Sequence, residues 1–205
     1  MSNKKTIIGS GLAGPLLAIL LAKRGYSVDL FEKHADPRLE HVPAGRSINL
    51  ALSHRGIKAL KSASVFEMVE PLLIPMKGRM IHQKNGELDF QPYSMNAEEY
   101  INSVSRSELN KILITAAEDT GKVNIHFSHA LSSIQDNQLE FENSHKVEIE
   151  NEIIGADGSG SVIRKYIDSN CDLPSTAKPL GHAYKELNIA PGKNGDFQID
   201  ANSLH

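Results

Sequence analysis

The sequence predicts an α/β (α+β) chain built on a βαβ unit, in which any second domain would have to be interleaved with the first. Three observations carry this reading. A strand, a glycine-rich turn, a helix and a second strand follow one another from Lys5 to Glu32. A later strand, turn and helix repeat that grammar near residues 152–167. Between them lie strand-like and helical segments, with no composition shift that marks a linker.

The elements follow in order. Lys5 to Ile8 is a short apolar β-type run, and glycines stand at 9, 11 and 14. An apolar helix pattern runs from Pro15 to about Arg24, with Gly25 as its C′ stop. Pro15 is tolerated because a first helical turn has no use for its missing N–H. Ser27 to Phe31 is the second strand. Residues 33–47, rich in Pro, Arg, His and Gly, read as a loop. Ser53 can cap a helix over His54 to Ser62, and Val65 to Leu73 continues as helix. Arg79 to His82 and Glu87 to Gln91 read as strands around an Asn85-Gly86 turn. Tyr100 to Val104 alternates as a strand. Ser105-Arg106-Ser107-Glu108 is a capping box that opens a helix to Asp119, with Leu109, Ile112, Leu113 and Ala116 on its apolar face. Val123 to Phe127 is a strand, and Leu131 to Glu152 a meander with a turn at Asp136-Asn137. Glu152 to Gly155 leads into Ala156-Asp157-Gly158 and a helix over Ser159 to Ile167.

Composition narrows the class. The chain has 205 residues, with 22 Lys plus Arg against 25 Asp plus Glu, a net charge of −3, and 40% hydrophobic residues. It lacks the basic footprint of a nucleic-acid binder. A lone cysteine, Cys171, excludes an internal disulfide framework and a Cys-rich zinc site. The longest apolar stretch, Pro15 to Ala22, falls short of the roughly 20 residues a membrane span needs. The N-terminus has no secretion-signal pattern, so a cytoplasmic location is expected. The end, Phe197 to His205, has no helix stop and no polar tail, and reads as a cut.

The strongest local signal is Gly9-Ser10-Gly11-Leu12-Ala13-Gly14. Gly9 allows a tight turn out of the strand, Gly11 lets backbone approach a pyrophosphate, and Gly14 allows close helix–strand packing. The helix N-terminus then offers N–H groups and positive dipole to phosphates. Glu32, eighteen residues after Gly14 at the end of the second strand, is placed to accept from adenosine ribose hydroxyls. That acid disfavours a 2′-phosphate, so NADP is disfavoured here and NAD and FAD remain. Gly155-Ala156-Asp157-Gly158-Ser159-Gly160-Ser161-Val162-Ile163-Arg164 is the second signal. Taken alone, Asp157 reads as a helix cap; it can also reach a ribityl or ribose hydroxyl. Nine histidines invite a metal reading, but the nearest pair, His126 and His129, would point to opposite faces of a strand. No cluster completes a shell, so no metal is expected. The glutamates between Glu140 and Glu152 read as a solvated face of a β-ribbon.

With both motifs on one chain, the sequence resembles the aromatic-ring flavoprotein hydroxylases, class A FAD-dependent enzymes that pair GxGxxG with a later D-G-x-x-S-x-x-R. The resemblance narrows to the kynurenine-hydroxylating branch on Asp36-Pro37-Arg38, Gly45 to Gly56 (GRSINLALSHRG), Pro75 to His82, Gln91-Pro92-Tyr93, Ser103 to Arg106 and Tyr184 to Leu187. It implies a glutathione-reductase-type FAD domain interleaved with a β-sheet substrate domain. Residues 1–70 and 100–180 would form the first, and 71–99 and 181–205 an incomplete second. It implies bound FAD, NADPH and O2 as co-substrates, and L-kynurenine as a small-molecule substrate on the pathway from tryptophan to NAD. Neither nucleic acid nor membrane is implied as a partner of the visible chain, and a homodimer is compatible. FAD would be held by Gly9, Gly11, Leu12, Ala13, Gly14, Glu32, Lys33, Arg46, Ala51, Arg106, Leu131 and Asp157. Arg79 would bind the substrate carboxylate, with Tyr93 donating a second hydrogen bond. Without that context, Arg79 reads as a surface arginine and Tyr93 as a packing residue. No catalytic side chain is implied, because the cofactor carries the difficult chemistry.

The sequence departs from the family at Ala183, where His-Gly-Tyr is usual, and in length. The absent part would carry a second flavin-contacting Gly-Asp motif, the rest of the substrate sheet and the C-terminal helices. Two other readings stay open: an NAD-dependent dehydrogenase, and a non-catalytic FAD-binding fragment.

Overall fold

A computed structural model describes residues 3–39, 49–96, 98–171, 176, 178, 180–182 and 189–205. In chain order the elements begin with β1 (Lys4–Ile8), α1 (Ala13–Lys23), β2 (Ser27–Phe31), β3 (Asn49–Leu52), α2 (His54–Ala63) and α3 (Phe66–Val69). A 3-10 turn at Glu70–Leu72 leads into β4 (Ile74–Met76), β5 (Gly78–His82), β6 (Leu88–Pro92), β7 (Ile101–Ser105) and α4 (Arg106–Glu118). Then come β8 (Val123–His126), β9 (Leu131–Gln135), β10 (Gln138–Phe141), β11 (Lys146–Glu148), β12 (Ile153–Gly155), α5 (Val162–Asn170) and β13 (Ser203–Leu204). None of the described helices is long and apolar enough to cross a membrane.

The chain forms two compact units, each built from two segments: residues 1–42 with 109–183, and residues 43–108 with 184–205. These bounds stand beside those the resemblance implies, 1–70 with 100–180 and 71–99 with 181–205. Residues 43–70 and 100–108 group with the hairpin region rather than with the βαβ unit. The reason is strand pairing: β3 and β4 both pair with β7, which joins residues 49–52, 74–76 and 101–105 into one sheet.

The first unit is organised by a parallel sheet in the order β12-β1-β2-β8. Parallel neighbours need a crossover, which α1 supplies between β1 and β2. Its strands read as apolar runs, as strands covered on both faces do. Ile7 lies opposite Leu30 on one side and Ile154 on the other, and Ile7 and Leu30 are fully buried. The meander β9-β10-β11 is antiparallel. Its turn at Asp136 and Asn137, with φ of +48° and +60°, is the two-residue type that these residues favour. A core of Ile8, Phe31, Leu139, Phe141 and Ile163 joins the parallel sheet, the meander and α5. Along β11 and beyond, Val147 and Ile149 turn inward while Glu148 and Glu150 stay exposed, as the ribbon reading expects.

In the second unit, β3-β7-β4 form one three-stranded sheet and β13-β5-β6 another. Leu60, Ala63, Val65, Val69, Met76 and Val104 are its buried apolar residues. The Asn85-Gly86 turn is present, with Gly86 at φ +89° and its N–H on the Gln83 carbonyl at 2.9 Å.

Four local expectations are sharpened or corrected. The helix expected over Val65 to Leu73 is present as the short α3 and the 3-10 turn after it, set off from α2 at Ser64, which takes φ +59°. The Ser64 N–H bonds to Lys61 and the Val65 N–H to Leu60, which closes α2 as a Schellman cap without glycine. Ser53 precedes α2, but its side chain makes no capping bond. The apolar face of α4 is rotated: Leu109, Leu113, Ile114 and Ala117 are buried, while Ile112 and Ala116 are only half-buried. Finally, α5 starts at Val162 rather than Ser159. Gly158 at φ +79° bends the chain, and Ser161, not Ser159, is the N-cap, its Oγ accepting from Arg164 N at 2.9 Å.

Candidate functional site

The glycine-rich turn leaves β1 and enters α1 with each glycine under a different constraint. Gly9 has φ +104°, and a methyl built on it would strike the Ala156 carbonyl and Asp157 Cα, where the chain leaves β12. A methyl on Gly14 would land on the Gly9 carbonyl oxygen. Gly11 differs: a methyl there meets nothing within 4 Å. Gly9 and Gly14 are therefore required by packing, and Gly11 faces open space. Leu12 forms the N-cap of α1 with no side-chain capping bond, and no acidic residue stands in the first turn. The helix start thus keeps unpaired N–H groups and uncompensated positive dipole, which suits an anion. Ala13, the first helical residue, is exposed there.

Glu32 sits just past β2 and reaches back to this turn. Its Oε2 accepts from Ser10 N at 2.7 Å and its Oε1 from His34 N at 2.9 Å. A carboxylate offers about four lone-pair sites, so two bonds leave room for ribose hydroxyls. Glu32 is at once a brace for the loop and an available acceptor. Ser10 Oγ is buried without a hydrogen-bond partner, an arrangement that polar groups in proteins rarely keep unless a ligand or water completes it.

Asp157 serves the start of α5. Its Oδ1 accepts from Ser161 Oγ at 2.6 Å, and its Oδ2 from Val162 N at 2.7 Å and Ile163 N at 3.3 Å. Three bonds leave it about one lone pair for a further partner. Lys33 is exposed beside Glu32, and Leu131 opens β9 half-buried in the same unit. His126 and His129 are not on opposite faces. The strand ends at His126 and Ser128 turns at φ +57°, so the two rings meet at 5.9 Å, edge to face. Among the described residues no group of three His, Cys, Asp or Glu side chains could hold a metal ion.

The remaining candidates lie in the second unit. Ala51 on β3 pairs with Ser103, and Arg106 follows Ser105, which pairs with Asn49; both candidates are exposed. Arg46 and the Tyr184 to Leu187 block lie outside the described residues. Arg79 faces Gln91 across the β5–β6 ladder. Tyr93 follows two residues later, its N–H on the Lys77 carbonyl at 3.0 Å. The period of two puts Arg79 and Tyr93 on one face of the hairpin. Arg79 is exposed, with no hydrogen-bond or ion-pair partner among the described residues. Tyr93 Oη is buried and unpartnered.

Asn110 escaped the motif reading, and Arg38 entered it only within the Asp36-Pro37-Arg38 block, without its partners on α4. Asn110, on α4, donates from Nδ2 to the carbonyls of Ser10 (2.9 Å) and Gly11 (3.0 Å). The only signal for it is a weak helix former inside a helix, between the buried Leu109 and Leu113. Arg38 bonds Asp36 (2.6 Å), Glu118 (2.5 Å) and Thr115 (3.4 Å), tying the loop after Glu32 to α4. The Arg38 guanidinium beside Asp36 holds that carboxyl below the usual carboxylate range.

The donor set fits the ADP half of FAD: an open, uncapped helix start, a carboxylate with spare lone pairs, and an orphaned buried hydroxyl. Comparison with known proteins agrees. The chain is 43% identical over 206 residues to the kynurenine 3-monooxygenase of Myxococcus xanthus (strain DK1622), covering 98% of this chain and 44% of that protein. It is 43% identical to the enzyme of the same name from Legionella pneumophila (strain Corby), over 90% of this chain and 42% of that protein. The chain therefore spans less than half the length of these relatives. Among solved structures, 2-methyl-3-hydroxypyridine-5-carboxylic acid oxygenase shares the fold at TM-score 0.65 and 23% identity, over 80% of this chain and 42% of that one. Tetracycline destructase Tet(51) does so at TM-score 0.57 and 25% identity, over 80% and 41%. A family model described as FAD binding domain matches residues 4–184, and the chain belongs to that family, the class A FAD-dependent hydroxylases.

Proposed function

We propose that the protein hydroxylates the aromatic ring of L-kynurenine to 3-hydroxykynurenine, with FAD as resident cofactor and NADPH and O2 as co-substrates. The observation that carries this reading is the set of relatives named kynurenine 3-monooxygenase, at 39–43% identity over nine-tenths or more of the chain. The alternative of an NAD-dependent dehydrogenase loses to the FAD family match.

The chain's own residues divide the work. In the first unit, the N–H groups of Gly11 and Leu12 and the start of α1 would take the pyrophosphate. Glu32 would accept from the ribose, and Lys33 and Leu131 would flank the adenosine. Asp157 would offer its remaining lone pair to the ribityl chain while holding α5 in place. Arg46, Ala51 and Arg106 would complete the flavin side. In the second unit, Arg79 is a free guanidinium whose planar fork suits a carboxylate. Tyr93 Oη, buried with no partner, would donate the second bond and so lose the penalty of an unsatisfied hydroxyl. When bound, FAD supplies the redox and oxygen-activating chemistry; the side chains supply orientation and charge placement.

The purified protein should be yellow and release FAD on heating. It should also oxidise NADPH faster when L-kynurenine is added, with 3-hydroxykynurenine formed. Bound FAD without kynurenine-dependent product would overturn the substrate assignment, and a protein that never binds FAD would overturn the whole reading.

A further inference from the structure

We infer that Asn110 is a positioning residue for the cofactor's pyrophosphate: it sets the two peptide planes of the glycine turn that present N–H groups to the anion. The inference rests on the reading that this turn holds FAD. Asn110 stands at the fifth position of α4, where asparagine gives little to helix stability. Both of its amide hydrogens are spent on one object, the carbonyls of Ser10 and Gly11. A peptide is planar and trans, so its carbonyl and the next N–H point in opposite directions. Drawing the Ser10 carbonyl to Asn110 turns the Gly11 N–H away from α4. Drawing the Gly11 carbonyl there does the same to the Leu12 N–H.

Packing does not supply this restraint. A methyl at Gly11 would touch nothing within 4 Å, and glycine backbone rotates at little steric cost. A flip of either plane would aim a carbonyl oxygen, not an N–H, at a phosphate. On its other side the turn is held at the Ser10 N–H by Glu32. One amide from α4 and one carboxylate from the end of β2 thus fix the turn in its anion-binding form before any ligand arrives. The far end of α4 is itself tied to the loop after Glu32, through Arg38 to Glu118 and Thr115. That helix is a strut between both parts of the nucleotide cradle.

The test measures dissociation constants for FAD, and for ADP as a probe of the half involved, on the purified protein and two variants, Asn110→Ala and Asn110→Asp. Removing both donors should weaken FAD and ADP in parallel, roughly 10- to 100-fold, the size expected when two organising hydrogen bonds are lost. The melting temperature of the apo-protein should move by only about 2 °C. Asn110→Asp keeps the shape but loses the donors, and sets a carboxylate against two carbonyls. Its defect should be the larger near pH 8. Relative to the parent protein it should narrow as the pH is lowered toward about 5, where a protonated carboxyl regains one donor. Affinities within twofold of the parent in both variants would overturn the inference while leaving the FAD site intact. So would an Asn110→Asp defect that stays flat with pH, or losses of affinity matched by losses of apo-protein stability. A parent protein that binds neither FAD nor ADP overturns the inference together with the reading beneath it.

Discussion

The parallel sheet of the first unit and the β5–β6 hairpin of the second bury their apolar residues to different depths. In the first, Ile7, Leu30, Leu113, Ile114 and Leu139 are almost wholly excluded from solvent. In the second, the β5–β6 hairpin leaves Leu88 at 61% and Phe90 at 45% exposure. The contrast extends to how each builds its candidate site. The nucleotide cradle is made mainly of backbone, held by glycines that nothing else can replace and by the two pins Glu32 and Asn110. The proposed hairpin site rests on two side chains, Arg79 and Tyr93, carried by the β5–β6 hairpin, whose β5 also pairs with β13. A backbone site is only as good as the packing beneath it; a side-chain site can be altered while its scaffold stays as it was.

The sharpest break of this comparison lies among the glycines. Gly9→Ala and Gly14→Ala each drive a methyl into backbone and should cost about 3 kcal/mol or more, enough to lose soluble protein. Gly11→Ala should leave the melting temperature close to the parent's and weaken FAD alone. Calorimetry beside FAD titration separates the two outcomes, and a destabilised Gly11→Ala would refute the assignment.

Next in size is a pair of truncations. Leu30→Ala, in the buried sheet, should cost roughly 2–5 kcal/mol. Leu88→Ala, on the exposed hairpin, should stay within about 0.5 kcal/mol. Urea unfolding of the two variants measures the difference in burial directly.

The hairpin site gives a smaller and more selective effect. Arg79→Ala should raise KM for L-kynurenine roughly 10- to 100-fold, as loss of a charge-assisted pair does, with FAD retained in full. Steady-state kinetics with a flavin count checks it; an unchanged KM removes Arg79 from the substrate site.

The smallest effect concerns the strap after Glu32. Arg38→Ala should cost about 1 kcal/mol near neutral pH, as partly exposed ion pairs do. Arg38 lowers the Asp36 pKa from its ordinary 3.8. The stabilisation is therefore present above that value and is lost as the pH falls through the lowered one. The urea midpoints of parent and variant should draw together as the pH falls below the ordinary carboxylate value and through the lowered one, and a gap that widens on acidification would contradict the pairing.

Much of this was legible in the sequence because the signals are local. Gly25 ends α1 where a C′ glycine should, with its N–H on Ala22 and the Tyr26 N–H on Leu21. Asp136-Asn137 turns where two positive-φ residues are needed. The same cap geometry at Ser64 went unseen, because a serine carries no left-handed signature. The buried stripe of α4 lies about one residue from the one its periodicity predicts. Leu109 and Leu113 fit any stripe, and only the packing of the helix chose Ile114 and Ala117 over Ile112 and Ala116. Asp157 was legible as a cap or as a ligand, and its three bonds to the start of α5 show the first role directly.

By itself the sequence determined the βαβ order, the places of the three glycines and the acid after β2. Each of these is written in residue types at short spacing, where backbone sterics and strand or helix period act. Only the tertiary structure decided which glycine is held by packing and which faces open space. It alone brought Asn110, a hundred residues downstream of Ser10, onto the glycine turn, and paired β3 and β4 with β7. Those facts depend on which distant segments pair and pack, and no local period encodes that.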